Sequence, residues 1–507
     1  TASSGCVSVS LYANALAINM SAAACGSSKC PPCFIIRQAP EPAFVAERTL
    51  TVIECSTMNL GMNMRFQDVG PFSNAAATYR FTNSDPSHKA VVMDGTGART
   101  VLEPGSSRSA VCWTTGASNG VMDHLHFTRS GAASSSADVH AAQLYQPVIS
   151  YGNAADKYHT VVADKTGKLF AAPATADKVL WIDPFSSMSG TFLSNAVTVT
   201  VSGPKYSAMV LSVATGNLYA APNNARYVLE IDTVMESCYE LGGDLGTTTG
   251  KYLSMAVANN GNIYAAPYNV EYVLVINLQS IPTTDTLGYY SGNAKYRTTV
   301  AASDGKVYAA PWSATNALEI DPRMGTTTLI GEAFSGSEKY YAMVAAPNER
   351  LYAAPYSAPK VLEIDPANPI SKCVLLPENY EGQTEKYKGV ALASNGKIYA
   401  VPATADRVLE IYPVNGSSRL LPESYGVSNG SKYEAVVAAP NGKLYAAPSD
   451  EASVLEIDPA SGSSMAVGTL PGTAAGKYVA MAAAANGKLV AAPSSEAYML
   501  VVSPGIR

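Results

Sequence analysis

Six cysteines near the N-terminus are the residues of this chain whose spacing most suggests covalent chemistry. They are Cys6, Cys25, Cys30, Cys33, Cys55 and Cys112. An even set in so short a segment predicts up to three disulfides, in pairings that the spacing leaves open. A zinc site formed by the middle four is the alternative, but their spacing does not match a zinc finger or ribbon. We therefore expect disulfides and an oxidising compartment.

Two smaller motifs give weaker signals. The CxxC motif Cys30–Cys33 lacks the strand-then-helix setting of a redox site. His124 and His126 alternate along an expected strand and so share a face, but no third metal ligand is evident. We expect solvent-facing histidines, no metal and no cofactor.

Lys-Tyr pairs recur at intervals of 44 to 48 residues through the rest of the chain. Their lysines are Lys157, Lys205, Lys251, Lys295, Lys339, Lys386, Lys432 and Lys477. If the repeats close into a ring, these ammonium groups surround one mouth of its channel and could hold an anion. The alternative is that each lysine pairs with a carboxylate of a neighbouring repeat, while each tyrosine packs between repeats.

A second repeated position varies in a way that packing does not require. It follows the Pro of an Ala-Ala-Pro step or its equivalent, and its occupants are Ala174, Asn223, Tyr268, Trp312, Tyr356, Ala403, Ser449 and Ser494. Three successive repeats therefore carry an aromatic residue there. Aromatic rings with a polar handle suit protein contacts and sugar stacking, so Tyr268, Trp312 and Tyr356 are a candidate partner or glycan site. Packing within the loop is the alternative.

Each repeat carries the signals of short β-strands that would position these side chains. In the seventh copy, a strand at Ala435–Ala438 precedes Asn441-Gly442, a second strand at Lys443–Ala447 and a third at Val454–Asp458. The Asn-Gly pair favours a type I′ hairpin, because both central residues of that turn need positive φ. Four strands in about 46 residues predict one blade of a β-propeller, and eight copies predict eight blades.

The ends of the repeat region indicate how the ring closes. The eighth copy stops at Ser503-Pro504, after its third strand, whereas residues 143–150 supply a strand directly before the first copy. A strand donated from one end into the fourth position of the last blade closes the ring and removes an open edge.

The first 129 residues differ from the repeats. Alternating runs at Leu50–Glu54, Ala77–Phe81, Ala90–Met93 and Ala110–Thr114 predict an all-β, disulfide-bearing domain that resembles a small sandwich, preceded by an N-terminal arm. Residues 130–142 are the expected linker, and residues 143–507 the propeller.

The repeat resembles the YVTN and NHL-type β-propeller repeats. Blades of those families read as a strand, a DGK-type turn, YVAN and then VxVID, and here YAAP replaces YVAN and VLEID replaces VSVID. The resemblance covers residues 143–504 and implies the propeller fold. It implies little about function, because such propellers serve as surface-layer proteins, adhesion modules, scaffolds and occasionally enzymes.

Composition and motif content argue against several functions. A net charge of −6 without a basic cluster argues against nucleic acid, and the lack of an apolar run of eighteen residues argues against a membrane span. The repeats contain one histidine, His159, and neither a Gly-x-Ser-x-Gly elbow nor a phosphate loop, so we expect no enzyme. Because the chain begins at Thr1, we expect a removed secretory signal and an extracellular or cell-surface location.

Secretion would give meaning to three glycosylation sequons and two further cysteines. The sequons begin at Asn19, Asn415 and Asn429. Cys238 and Cys373 fall in the fourth strands of the second and fifth repeats, too far apart around a ring for a bond that needs Cα atoms within about 7 Å. Each is either a buried apolar residue or a link to another chain or to the N-terminal domain.

Together these features predict a secreted or cell-surface structural protein. The propeller would be a rigid protein–protein interaction unit, or a subunit of a filament or surface layer, whose partners are further copies or other extracellular proteins. The alternative is a lectin-like propeller that binds a glycan or another ligand. An enzyme using the channel mouth is the third and least favoured class.

Overall fold

The computed structural model divides the chain into two compact units, Thr1–Asp138 and Val139–Arg507. In the second unit the structure describes residues 142–147, 149–185, 190–196, 201–278, 281–428, 430–470 and 474–504. In the first unit it describes the backbone of the β-strands. The part of the chain that the structure describes contains no helix with the length and hydropathy to span a bilayer.

The described strands of the first unit form three sheets. They are β1 (Val7–Tyr12), β2 (Ala15–Met20), β3 (Glu47–Val52), β4 (Met62–Met64), β5 (Ala77–Asn83), β6 (Ala90–Met93), β7 (Arg99–Leu102), β8 (Ser107–Cys112) and β9 (Leu125–Arg129). The sheets have the orders β1-β2, β3-β5-β8 and β4-β9-β6-β7. β3 pairs with β5 in parallel, and the other pairs are antiparallel. The sandwich arrangement stays a prediction.

Most of the expected N-terminal site residues lie outside the described residues. These are Cys6, Cys25, Cys30, Cys33, Cys55 and His124, and in the propeller the sequon residue Asn429 also lies outside them. Cys112 ends β8, His126 lies in β9, and Asn19 lies in β2. The disulfide pairing therefore stays a prediction as well.

The second unit is an eight-bladed β-propeller, which confirms the fold that the repeats predicted. Blade 1 consists of β11 (Val162–Ala163), β12 (Leu169–Ala171), β13 (Lys178–Ile182) and β14 (Gly190–Ala196). Blade 2 consists of β15 (Tyr206–Leu211), β16 (Leu218–Pro222), β17 (Val228–Asp232) and β18 (Ser237–Leu241). Blade 3 consists of β19 (Ala256–Val257), β20 (Ile263–Ala265), β21 (Val273–Asn277) and β22 (Thr283–Leu287). Blade 4 consists of β23 (Val300–Ala301), β24 (Val307–Ala309), β25 (Ala317–Asp321) and β26 (Thr326–Ile330).

The remaining blades repeat the same antiparallel order. Blade 5 consists of β27 (Tyr340–Ala345), β28 (Leu351–Pro355), β29 (Leu362–Ile364) and β30 (Cys373–Leu375). Blade 6 consists of β31 (Tyr387–Leu392), β32 (Ile398–Pro402), β33 (Leu409–Tyr412) and β34 (Ser417–Leu420). Blade 7 consists of β35 (Tyr433–Ala438), β36 (Leu444–Pro448), β37 (Val454–Asp458) and β38 (Ser463–Val467). Blade 8 consists of β39 (Met481–Ala483), β40 (Leu489–Ala491), β41 (Leu500–Ser503) and, from the other end of the repeats, β10 (Gln143–Tyr145).

The first strand of each blade is the innermost. First strands of neighbouring blades contact one another all around the ring, including β39 beside β11. At the outer edge of blade 8, β10 pairs antiparallel with β41, in a register that sets Leu144 opposite Val502. The closing strand comprises the three residues Gln143–Tyr145, which is shorter than the strand predicted over residues 143–150.

The hydrophobic core is divided among the eight interfaces between blades. Between blades 5 and 6, for example, Tyr352 and Val361 pack with Ile398 and Leu409. Burial of one such aliphatic side chain stabilises the fold by about 1.5–3 kcal/mol. Each blade is thus held by its two neighbours, and an open ring would expose an entire interface.

The hairpin between the first and second strands differs from the expected type I′ turn. In blade 7, Gly442 has a φ of 79°, whereas Asn441 has no positive φ. Gly442 N donates to Ala439 O at 3.0 Å, and Ala439 N donates to Lys443 O at 2.8 Å. This geometry is a type I turn followed by one residue in the left-handed region, a conformation that glycine adopts most easily.

The asparagine of this hairpin links its blade to the next. Asn348 Nδ2 in blade 5 donates to Pro413 O in blade 6 at 2.9 Å, and Asn395 Nδ2 donates to Pro459 O at 3.1 Å. The asparagine therefore ties neighbouring blades on the face opposite the Lys-Tyr pairs.

Candidate functional site

The repeated lysines and the residues after the Ala-Ala-Pro step form one continuous belt of backbone hydrogen bonds. Trp312 N donates to Lys295 O at 2.8 Å within blade 4, and Lys339 N of blade 5 donates to Trp312 O at 2.9 Å. The same two bonds recur in every blade. The last of them joins blade 1 to blade 8, where Lys157 N donates to Ser494 O at 3.2 Å. We call these sixteen residues the mouth belt, because they surround one end of the channel.

The lysine side chains of the mouth belt are buried and bind backbone carbonyls. Lys251 is 0% exposed, and its Nζ donates to Thr248 O at 2.7 Å. Lys386 Nζ donates to Gln383 O at 2.8 Å in the same way. Among the described residues, none of the eight lysines forms an ion pair, so the partners are loop carbonyls rather than the carboxylates considered above.

The loop before the lysine adopts a conformation that makes these bonds possible. The residue directly before the lysine has a positive φ in six blades: Asp156, Gly250, Ala294, Glu338, Glu385 and Gly476. Four of them are not glycine, and a non-glycine residue in this region costs of order 1 kcal/mol or more. The strain is maintained by the belt, whose hydrogen bonds fix the backbone on both sides.

Burial lowers the pKa of all eight ammonium groups. For Lys251, Lys339 and Lys386 the pKa falls to about 8. Carboxylates in nearby loops oppose the effect of burial in most blades, as Glu496 does for Lys157. For Lys339 and Lys386, in blades 5 and 6, burial is the cause of the lowered pKa.

The three aromatic residues predicted as a binding patch are unequally exposed. Trp312 is 5% exposed and Tyr356 is 6% exposed, whereas Tyr268 is half-buried. The ring centroids of Trp312 and Tyr356 are 4.9 Å apart, and the Tyr341 ring lies 5.6 Å from Tyr356. The structure therefore brings Trp312 and Tyr356 together, but most of their ring surface is already covered. Tyr268 is the most exposed residue of the three.

The residue directly after each Lys-Tyr pair lies beside the mouth belt, and the sequence interpretation did not single it out. These residues are His159, Ser207, Leu253, Arg297, Tyr341, Lys388, Glu434 and Val479. All eight are half-buried, and they differ chemically from blade to blade. Their variation between repeats is the same signal that marked the aromatic position, so it could have identified them.

Four of these residues form a connected polar cluster in blades 4 to 7, which we call the channel quartet: Arg297, Tyr341, Lys388 and Glu434. Arg297 Nη2 donates to Tyr341 Oη at 2.7 Å, and its Cζ lies 4.0 Å from the Tyr341 ring centroid. The same Cζ lies 5.3 Å from the Trp312 ring. Lys388 Nζ lies 5.7 Å from the Tyr341 ring centroid and 2.6 Å from Glu434 Oε1. Arg297, Tyr341 and Lys388 therefore each contact the corresponding residue of the next blade.

The glutamates that recur in the third strand have structural partners. Glu410 is 0% exposed and accepts hydrogen bonds from Lys397 Nζ at 2.9 Å and Tyr399 Oη at 2.8 Å. Burial alone would raise the pKa of Glu410, but hydrogen bonds from Tyr412, Lys397 and others outweigh it and lower the pKa to about 2. Among the described residues, no group of three His, Cys, Asp or Glu side chains could hold a metal ion.

The two cysteines of the propeller lie in the fourth strands of blades 2 and 5, where the repeats placed them. Cys238 is buried in the cluster between blades 1 and 2. Cys373 is half-buried against the cluster between blades 4 and 5, and burial raises the pKa of its thiol to about 12. Both positions agree with small apolar residues.

Comparisons with known proteins show similarity to other β-propellers. A streptogramin B lyase structure shares 10% identity over 73% of this chain and 99% of that chain, with a TM-score of 0.47. Hydrazine synthase of Kuenenia stuttgartiensis shares 15% identity over 70% of this chain and 97% of that chain, with a TM-score of 0.45. The WD40 propeller domain of Doa1 shares 13% identity over 71% of this chain and 97% of that chain, with a TM-score of 0.42.

The chain matches no protein-family model and no curated protein sequence. At these identities and TM-scores the solved structures are similar in fold alone, and they give no argument about activity, ligand or partner.

Proposed function

We propose that this protein is a secreted or cell-surface assembly protein, in which the propeller is a rigid subunit that associates with further copies of itself. The observation that carries this proposal is a circle of exposed apolar residues on one face of the disc. The cysteine-bearing first unit supports the extracellular location, because disulfides persist in oxidising compartments.

The exposed apolar residues occupy the turn between the third and fourth strands of six successive blades. We call them the apolar rim, and they are Phe185, Val234, Met235, Ile281, Met324, Ile370 and Val414. Ile370 is 95% exposed and Val414 is 97% exposed. Because this turn is at the opposite end of the blade from the mouth belt, the apolar rim lies on the other face. Apolar residues repeated on one face are typical of interaction surfaces.

The arrangement of the apolar rim favours a second copy of the chain as its partner. The turn occupies the same place in each blade, so its side chains recur at one radius around the disc axis. A copy facing the first presents the same circle, which is the condition for a self-complementary interface. The charged residues of the rim turns are of both signs, and they are Asp183, Glu236, Arg323, Asp365 and Lys372.

Oligomeric state tests the proposal. We expect the purified full-length chain to associate with increasing concentration in sedimentation velocity or light scattering. The double variant Ile370→Ser with Val414→Ser should weaken association at least tenfold, and its stability should be unchanged because both side chains are exposed. Tyr289→Ser is the matched control, because Tyr289 is 65% exposed on a loop of the opposite face. A monodisperse monomer at high concentration, or a double variant that assembles normally, would contradict self-association.

One predicted glycosylation site conflicts with this surface. Asn415 is exposed and directly follows Val414 in the turn of blade 6. A glycan on Asn415 would cover Val414 and exclude a second copy there. We therefore expect Asn415 to carry no glycan in the assembled protein, which peptide mass spectrometry can determine.

A lectin-like propeller is the second candidate, and a different observation supports it. Tyr268 is only half-buried at the channel mouth, and it interacts electrostatically with Arg297 of the chemically varied channel quartet. A glycan array distinguishes this candidate from a purely structural unit, which should bind no glycan selectively.

A further inference from the structure

We propose that the channel mouth at blades 4 to 6 is a binding site for a carboxylate, which the Arg297 guanidinium receives. This site is separate from the apolar rim, which lies on the other face of the disc. A protein that does not self-associate could therefore still bind a carboxylate at this site. A protein that binds no carboxylate could still self-associate through the apolar rim.

The Arg297 guanidinium has hydrogen-bonding capacity that the protein does not use. Of its five N–H donors, one bonds to Tyr341 Oη, and Arg297 forms no ion pair among the described residues. A half-buried guanidinium without a carboxylate partner is uncommon, because charged groups taken from water are normally paired. Its remaining donors have no hydrogen-bond partner among the described residues and are available to a ligand.

The orientation of Arg297 is fixed before any ligand arrives. Its Cζ lies over the Tyr341 ring at 4.0 Å and beside the Trp312 ring at 5.3 Å, and both rings attract the cation. Trp312 and Tyr356 in turn hold the Tyr341 ring, with centroids 5.9 and 5.6 Å from it. The buried aromatic residues thus support the guanidinium rather than stack on a sugar. A fixed planar fork matches the two oxygens of a carboxylate.

The local charge is suited to a ligand with one negative charge. Lys388 is neutralised by Glu434 at 2.6 Å, which leaves Arg297 as the excess charge of the channel quartet. Lys339 and Lys386 of the mouth belt are buried, form no ion pair among the described residues and add positive charge near this position. Glu385 is exposed at the edge and lies beside the Tyr356 hydroxyl, so it limits the total charge of the mouth. A monoanion is favoured over a dianion for this reason.

Small polar residues take the place of the aromatic rings in two other blades of the mouth belt. Blades 7 and 8 carry Ser449 and Ser494 where blades 4 and 5 carry Trp312 and Tyr356. Both serine hydroxyls are buried and have no hydrogen-bond partner. Unsatisfied hydroxyls of this kind are normally satisfied by water or a ligand. The mouth therefore combines a cationic aromatic side with a small polar side.

Two sources could supply the carboxylate: an acidic sugar or the C-terminus of a peptide. The probes are galacturonate with galactose as its neutral match, and acetyl-triglycine with its amide as the neutral match. The chain contains three tryptophans, so a Trp113→Phe, Trp181→Phe background leaves Trp312, which contacts Arg297, as the fluorescent reporter. Isothermal titration calorimetry on the unmodified chain provides a second readout.

We expect at least one carboxylate probe to change Trp312 emission saturably and to bind at least tenfold more tightly than its neutral match. Whichever probe binds more tightly identifies the source of the carboxylate. Arg297→Met should weaken binding at least tenfold, Arg297→Lys should weaken it less, and Glu434→Gln should strengthen it by releasing Lys388. The control Arg323→Met removes an arginine from the opposite face and should leave binding unchanged.

Several results would overturn this proposal. The proposal is wrong if neither carboxylate binds, or if a carboxylate binds no more tightly than its neutral match. It is also wrong if Arg297→Met binds the carboxylate as tightly as the unmodified chain, or if inorganic sulfate binds more tightly than both carboxylates. Circular dichroism of Arg297→Met and Arg297→Lys verifies that the propeller is folded. If Arg297→Met does not fold, the Glu434→Gln variant decides, because unchanged or weaker binding there would contradict the charge argument.

Discussion

The backbone N–H of Lys157 donates to the carbonyl oxygen of Ser494 at 3.2 Å, and this bond joins the first blade to the last. It completes the mouth belt on one face. On the other face, Asn486 Nδ2 of blade 8 donates to Pro184 O of blade 1 at 2.6 Å. At the outer edge, β10 completes blade 8 by pairing with β41. The ring is therefore closed at three separate places, which explains how short strands of two to seven residues hold a rigid disc.

The closing strand should contribute measurably to stability. Leu144 of β10 packs against the cluster between blades 7 and 8. We expect Leu144→Asp to lower the free energy of unfolding by about 2–4 kcal/mol, because it removes apolar contacts and places a charge beside the core. The measurement is chemical denaturation followed by tryptophan fluorescence.

A fourth-strand residue of another blade is the control for this substitution. Leu329 lies in β26 and is 51% exposed, so Leu329→Asp should cost less than about 1 kcal/mol. Equal effects of the two substitutions would mean that the closing strand has no special role.

Two tyrosines at equivalent positions should respond differently to loss of the hydroxyl. Tyr340 donates its hydroxyl to Lys360 O at 3.2 Å, whereas the buried Tyr206 hydroxyl has no partner. Tyr340→Phe should cost about 1 kcal/mol of unfolding free energy, the net value of a hydrogen bond. Tyr206→Phe should be neutral or stabilising, since it removes an unsatisfied buried group. Denaturation midpoints of the two variants, measured side by side, check this, and a larger loss for Tyr206→Phe would refute it.

Stability should rise with pH between about 8 and 10 and fall above that. The folded state holds the pKa of Lys251, Lys339 and Lys386 at about 8, below the ordinary value of about 10.4, so in this interval the unfolded chain binds more protons. Stability then increases with pH. Burial raises the pKa of Tyr151, Tyr219 and Tyr352 to about 12, so above pH 10 the folded chain retains protons that the unfolded chain loses. Stability then decreases with pH.

Urea denaturation midpoints between pH 7 and pH 11.5 test this pH dependence. Lys386→Met should reduce the rise between pH 8 and 10, because it removes one of the ammonium groups whose burial causes it. A midpoint that falls steadily from pH 7 would contradict the lowered lysine pKa values.

The repeat period and the turn residues determined the architecture of the second unit. The Lys-Tyr pairs, the hairpin glycines and the prolines after the second and third strands are local signals, and their period sets the number of blades. The unpaired strand before the first repeat predicted where the ring closes. The type of turn could not be predicted in the same way, because whether Asn441 adopts a positive φ depends on the register of the two strands around it.

The candidate site depended on contacts between blades, which a repeat pattern does not record. Arg297 and Tyr341 are 2.7 Å apart through Nη2 and Oη, although they belong to different repeats. The exposure of Trp312 and Tyr356 was likewise set by a neighbouring ring rather than by their own positions. No sequence signal marks Ala294 or Glu338 as left-handed residues, yet this loop conformation lets the lysine reach a carbonyl. The sequence by itself therefore determined the number, order and closure of the blades, because these follow from interactions within a repeat. The tertiary structure decided which polar groups face one another at the channel mouth, because those pairs form only when the ring is closed.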